Sequence, residues 1–108
     1  MAFYSNRTKL RHDALPAVEA WVEEINRRRD EFEQTFVDEG MKFEAWILEE
    51  AEDGLYLVSL METDDIDKVY EVYAKSRHPI DAYHREFLEK NKVGFKANRV
   101  VFAGRPPK

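Results

Sequence analysis

Two of the three histidines of this chain stand in one stretch, SRHPIDAYHREF at residues 76–87, with an arginine beside each and an aspartate between them. Imidazole is the side chain that titrates nearest neutrality, and a carboxylate about one helical turn away can orient it. His84 and Asp81 are therefore the candidate catalytic pair for general acid or base chemistry, with Tyr83 or Arg77 as hydrogen-bond donors to a substrate. Around them, His78, Tyr70, Tyr73 and Trp46 complete a candidate binding set for an apolar molecule with one polar end.

The same residues have a purely structural reading. Pro79 fixes a helix start, His78 falls at its cap, and Asp81 sits where an acidic side chain reaches back to the cap N–H. His84 lies four residues after Ile80 and four before Leu88, on or beside an apolar stripe. There it is either a half-buried histidine satisfied within the protein or a group that meets a ligand. Arg77 and Arg85 are each four residues from Asp81 and compete for it. Arg85 is expected to point to solvent near Glu89.

Other chemistries find little support. His78 and His84 are separated by about 240° around a helix, too far to chelate one ion from one face, and the chain has no cysteine, so no metal site is expected. With four glycines there is no phosphate-binding loop, dinucleotide fingerprint or nucleophile elbow. No cofactor is expected.

The net charge of −5 argues against a nucleic acid partner, because the one basic run, Arg27 to Arg29, is set among Glu23, Glu24, Asp30 and Glu31. No segment approaches the roughly 20 apolar residues needed to span a bilayer, and no signal-type stretch opens the chain. A cytoplasmic protein with no membrane partner is the expectation. Seven Phe, five Tyr and two Trp supply a core, and 108 residues suit a single domain over 1–108.

The elements that must position these residues follow from periodicity. Residues 3–10 read as a first strand. Leu15, Val18, Val22, Ile25, Phe32 and Phe36 form one stripe, which predicts a single long helix to about Glu39, closed by Gly40. Arg29 occupies the gap in that stripe, its head reaching Glu33 or solvent. Asp-Gly between MKFEAWILEE and LYLVSLMET predicts a hairpin. A second helical region, broken before Pro79, begins at a cap on Asp64 or Asp65, and residues 93–104 read as the last strand. Strand, helix, hairpin, broken helix and strand make an α+β, ferredoxin-like β-α-β-β-α-β sandwich.

Its sheet should have one face free of helices. In the second strand Met41, Phe43, Ala45 and Ile47 are expected on one face, with Trp46 and Leu48 on the other, so both faces are apolar. A homodimer covering the free face is expected, with a ligand cavity between sheet and helices or at the dimer mouth.

His78, Pro79, Ile80, Asp81, His84 and Phe87 also carry a resemblance. The chain resembles an uncharacterised family of small dimeric ferredoxin-like proteins within the dimeric α+β barrel superfamily, over about residues 3–102. The resemblance implies the fold and the dimer. It does not choose an activity, since the superfamily spans cofactor-free monooxygenases, haem enzymes, isomerases and sensing domains. Haem, with His84 as axial ligand, is disfavoured because 108 residues leave little chain to enclose a porphyrin.

Two functional classes remain. One is a protein that binds a small apolar molecule with a polar end, with a cofactor-independent enzyme as its catalytic version. The alternative is a non-catalytic structural or interaction module acting as a homodimer.

Overall fold

The computed structural model describes residues 2–108. Four strands, β1 (Ala2–Leu10), β2 (Met41–Ala51), β3 (Gly54–Thr63) and β4 (Lys92–Asn98), form one sheet in the order β2-β3-β1-β4. Every neighbouring pair is antiparallel. Helices α1 (Leu15–Arg27) and α2 (Arg29–Glu39) join β1 to β2, and α3 (Ile66–Lys75) and α4 (Pro79–Asn91) join β3 to β4. This is the ferredoxin-like arrangement that the element order predicts.

Local chemistry sets the boundaries. Pro16 lies in the first turn of α1, where its missing N–H costs nothing. Gly40 closes α2 at φ 74°, a left-handed conformation that a side chain would strain. The Asp65 carboxylate caps α3 by accepting from Lys68 N at 3.1 Å. Ala51 pairs with Gly54 across the hairpin, so Glu52 and Asp53 make the turn, and Tyr56 Oη donates to Asp53 at 2.7 Å.

The helices cover one sheet face. Leu10, Leu55 and Leu57 from the strands meet Val18, Trp21 and Ile25 of α1 and Ile80 and Phe87 of α4 in the main core. A smaller cluster holds Met41, Met61 and Val69 under Phe36 and Ile66. Each fully buried aliphatic or aromatic side chain stabilises the fold by roughly 1.5–3 kcal/mol relative to exposure.

Several expectations need correction. The long helix is two: Arg28 leaves helical geometry at φ −110°, ψ 32°. Its guanidinium is held by Glu31 at 2.7 Å and Glu24 at 3.4 Å, which fixes the bend where the apolar stripe is interrupted. Arg29 stays outside, 3.8 Å from Glu33.

Met41 belongs to the inner face. The register passes from Met41↔Thr63 to Phe43↔Glu62, so Lys42 is the extra residue of a bulge that reverses the side of everything before it.

The last strand ends at Asn98, whose side chain donates to Ser5 Oγ at 3.2 Å. The chain beyond it leaves the sheet edge, and Arg105 reaches Glu62 at 2.7 Å on the helix-free face. Val101 and Phe102 of this tail are exposed, as are Phe43 and Ile47 of β2.

Candidate functional site

A partly enclosed cavity of about 140 Å³ lies between the inner sheet face and the helices. Its floor comes from alternate residues of the two central strands, Asn6 and Thr8 of β1 and Leu57, Ser59 and Met61 of β3. These share a face because strand side chains alternate, and Thr8 pairs directly with Leu57. Phe32 and Glu39 of α2, Val69, Tyr70 and Tyr73 of α3, and Asp81, His84 and Leu88 of α4 form the roof. Glu44 of β2 and Phe95 of β4 lie at its sides.

Behind one wall lies a stack of aromatic rings, of which His84 and Tyr73 reach the cavity. Trp21 lies nearly parallel to Phe87, with centroids 4.4 Å apart, and 4.5 Å from Trp46 on another side. The His84 imidazole is parallel to Trp46 at 5.3 Å, and Tyr73 meets it edge-on at 5.6 Å. Such contacts hold a ring by its faces and leave its nitrogens to find partners elsewhere. His84 Nδ1 finds none, and neither does Tyr73 Oη; both are sealed from solvent. Burial pushes the His84 pKa down to about 4, with the charge of Arg85 acting in the same direction. His84 is therefore a neutral imidazole at pH 7. Burial likewise pushes the Tyr73 hydroxyl up.

The carboxyl groups behave in the opposite sense. Glu39 is pushed up to about 8 by burial and then by the neighbouring charges of Glu44 and Asp81. Glu44 is pushed up to about 7 by burial, partly offset by the hydrogen bond that Trp46 Nε1 donates to it at 3.0 Å. A buried acid resists ionisation because its charge loses water, and acids that share a site resist it further. Asp81 is held differently: Ser76 Oγ donates to it at 2.6 Å and accepts from His78 N at 3.2 Å.

This serine alters the reading of the 76–87 stretch. The cap N–H of His78 goes to Ser76, not to Asp81, and no hydrogen bond among the described residues joins Asp81 to His84. His78 is the N-cap residue of α4, but its ring turns outward to Asp38 at 2.8 Å. Arg85 does not run to solvent near Glu89. Its guanidinium donates to the carbonyls of Tyr73 at 2.8 Å and Ser76 at 3.0 Å, satisfying the end of α3.

Of the expected site residues, the fold brings His84, Asp81, Tyr70 and Tyr73 to the cavity. Trp46 stands behind His84 and lines an adjoining groove. Arg77 is exposed, His78 faces outward, and Tyr83 packs on the core beneath Arg28, so these three do not join the cavity. Glu39 and Glu44 were not expected there. Both carried a signal: Glu39 follows Phe32 and Phe36 at stripe spacing, and Glu44 shares the inward register of Trp46 and Leu48.

The chain belongs to the family of unknown function DUF6176, which it matches over residues 1–101. No curated protein matches it. Among solved structures it is similar to protein Atu4242 from Agrobacterium tumefaciens, with a TM-score of 0.60 and 17% identity over 90% of this chain and 89% of that one. It is also similar to a dimeric protein of unknown function and ferredoxin-like fold from Bacteroides fragilis, with a TM-score of 0.56 and 19% identity over 89% and 90%. A third is Rv0793 from Mycobacterium tuberculosis, with a TM-score of 0.53 and 16% identity over 95% and 97%. At these identities the likeness establishes the fold alone. Among the described residues, no helix is long and apolar enough to cross a membrane.

Proposed function

We propose that this protein binds a small apolar molecule with one polar end in the cavity between sheet and helices, and that it does so as a homodimer. The observation that carries the reading is the pairing of an apolar cavity with polar atoms that the protein leaves unsatisfied. Tyr73 Oη and His84 Nδ1 belong to side chains that line it, and neither has a partner. A buried polar group without a hydrogen bond costs about 1–3 kcal/mol, and a ligand that supplies the bond recovers that cost. Trp21 Nε1, in the main core and away from the cavity, is unpaired as well, so it is the position of the other two beside one cavity that supports the reading.

Self-association rests on the helix-free face. Phe43 is 46% exposed and Ile47 54% exposed on β2, and Val101 and Phe102 extend from the tail. A second copy across a two-fold axis would cover such a surface. The similar Bacteroides fragilis protein is described as dimeric.

A catalytic version assigns proton transfer to Glu44 in place of His84. Its pKa of about 7 is near neutrality, and Trp46 Nε1 fixes its orientation, whereas His84 at about 4 is a weak base.

Native mass spectrometry of the purified protein tests both parts. A dimer carrying a small-molecule adduct, lost in His84→Phe, is the expected result. A monomer contradicts the dimer. Failure of aliphatic and aromatic alcohols, acids and amines to raise the Tm by even 1 °C contradicts the binding cavity.

A further inference from the structure

The cavity contains three carboxyl groups delivered by three elements: Glu39 ends α2, Glu44 lies inward on β2, and Asp81 opens α4. Their hydrogen-bond partners are neutral, the Thr35 hydroxyl, the Trp46 indole N–H and the Ser76 hydroxyl. Of the nearby cations Arg85 is engaged elsewhere, on the carbonyls of Tyr73 and Ser76, while Lys92, which also lines the cavity, stays 4.9 Å from the centre of the Phe95 ring, itself part of the lining.

A cluster of acids alone would say little. Here it surrounds the same cavity whose wall includes His84 and Tyr73, each with a sealed polar atom that no group in the protein meets. Once ionised, the carboxyl groups offer only acceptors, which favours a ligand rich in N–H donors. A metal ion fits poorly, since among the described residues no three His, Asp or Glu side chains are grouped to hold one.

We propose that the polar end of the bound molecule is a protonated primary amine seated against Glu39 and Glu44, with an apolar body about one ring in size against Phe32, Leu57 and Met61. This rests on the cavity reading above and names the ligand's chemical class. An ammonium group has N–H donors to give to the Glu39 and Glu44 carboxylates, and aromatic rings such as Tyr70, Tyr73 and Phe32 in the lining attract a cation that has lost its water. The body size follows from the volume: a cavity of about 150 Å³ admits a benzene ring.

The proposal has a signature in proton linkage. Glu39 and Glu44 hold protons in the empty site near neutrality. A bound ammonium favours their ionised forms, so protons are released and affinity tightens from pH 6 to pH 8. The other titratable or charged groups around them are Asp38 on α2, Tyr70 and Tyr73 on α3, Asp81, His84 and Arg85 on α4, and Lys92 on β4. An anionic ligand would reverse the sign.

Isothermal titration of the full chain with benzylamine, benzyl alcohol and benzoate, three probes of one shape and different charge, decides the matter. Benzylamine is expected to bind at least tenfold more tightly than the other two at pH 8. Its affinity should rise between pH 6 and pH 8, with proton release shown by heats that differ between buffers of different ionisation enthalpy. Glu44→Gln keeps an acceptor for Trp46 and should weaken benzylamine at least tenfold and benzyl alcohol by much less; Glu39→Gln is a second variant with the same expectation. If benzyl alcohol or benzoate binds as tightly as benzylamine, or if benzylamine weakens as pH rises, the amine assignment fails and the cavity reading survives. Absence of binding by all three at millimolar concentration overturns both.

Discussion

The imidazole of His84 lies within 4° of parallel to the indole of Trp46, with ring centroids 5.3 Å apart. Packing therefore fixes His84 by its faces, and the hydrogen bond that a buried imidazole normally makes is missing at Nδ1. Stability and binding should separate at this residue. His84→Phe keeps an aromatic face against Trp46 and removes an unsatisfied atom, so the Tm should hold or rise, by the equivalent of about 1 kcal/mol. Affinity for the cavity ligand should fall at least tenfold. Calorimetry and titration of one preparation check both halves.

The buried acids predict an unusual pH dependence. Glu39 and Glu44 bind protons more tightly folded, at about 8 and about 7, than in the unfolded chain near 4.5. Between those values the folded state holds the extra protons, so stability falls as pH rises toward 8. His84 works the other way, because its folded pKa of about 4 lies below the unfolded 6.5, and its contribution is lost as pH falls from 6.5 toward 4. Below pH 6.5 the effects oppose one another. Above it only the acids act, and the ligand-free protein should lose stability from pH 6.5 to 8, on the order of 1 kcal/mol per pH unit. Glu39→Gln and Glu44→Gln should each flatten that slope, read from Tm against pH.

Arg85 ties the end of α3 to α4 through the carbonyls of Tyr73 and Ser76. Arg85→Ala should cost about 1–3 kcal/mol, since two charge-assisted bonds are lost and two carbonyls are left to water. Because Tyr73 lines the cavity, ligand affinity should fall as well. Denaturant melts and titration measure the two effects. Arg77→Ala, at an exposed position outside the cavity, should change neither.

The helix-free face should respond to charge without affecting the fold. Phe43 and Ile47 are about half exposed within one chain, so Ile47→Glu or Phe43→Glu buries no charge in the protomer. Light scattering should show a monomer with a far-ultraviolet spectrum like that of the parent. A dimer that tolerates both substitutions would place the interface elsewhere.

What the sequence could disclose depended on the range of the interaction. The apolar stripe of Val18, Ile25 and Phe32 and the Asp53-Gly54 hairpin signal are local patterns, and they were enough for the element order and the sheet topology. The bend at Arg28 was obscured because Glu24 and Glu31 look like ordinary surface partners until the stripe is seen to miss a position. The bulge at Lys42 leaves no mark on period-two alternation except a reversal of sides, and this placed Met41 on the wrong face. At the site, His84, Asp81, Tyr70 and Tyr73 could be named from helical spacing. Their partners could not, because Ser76 takes Asp81 and Asp38 takes His78 through contacts that spacing within one helix does not reveal. Glu39 and Glu44 stood at inward positions in full view. A periodicity search for apolar residues passes over an acid at a buried position.

The most direct measurement is nitrogen-15 NMR of the three imidazoles, His12, His78 and His84, in the free protein and with saturating benzylamine. His84 is expected to stay neutral from pH 5 to 8 while ligand addition moves its ring nitrogens and leaves those of His12 in place. A His84 that titrates above pH 6, or whose nitrogens do not move while benzylamine binds, would contradict a cavity ligand beside it.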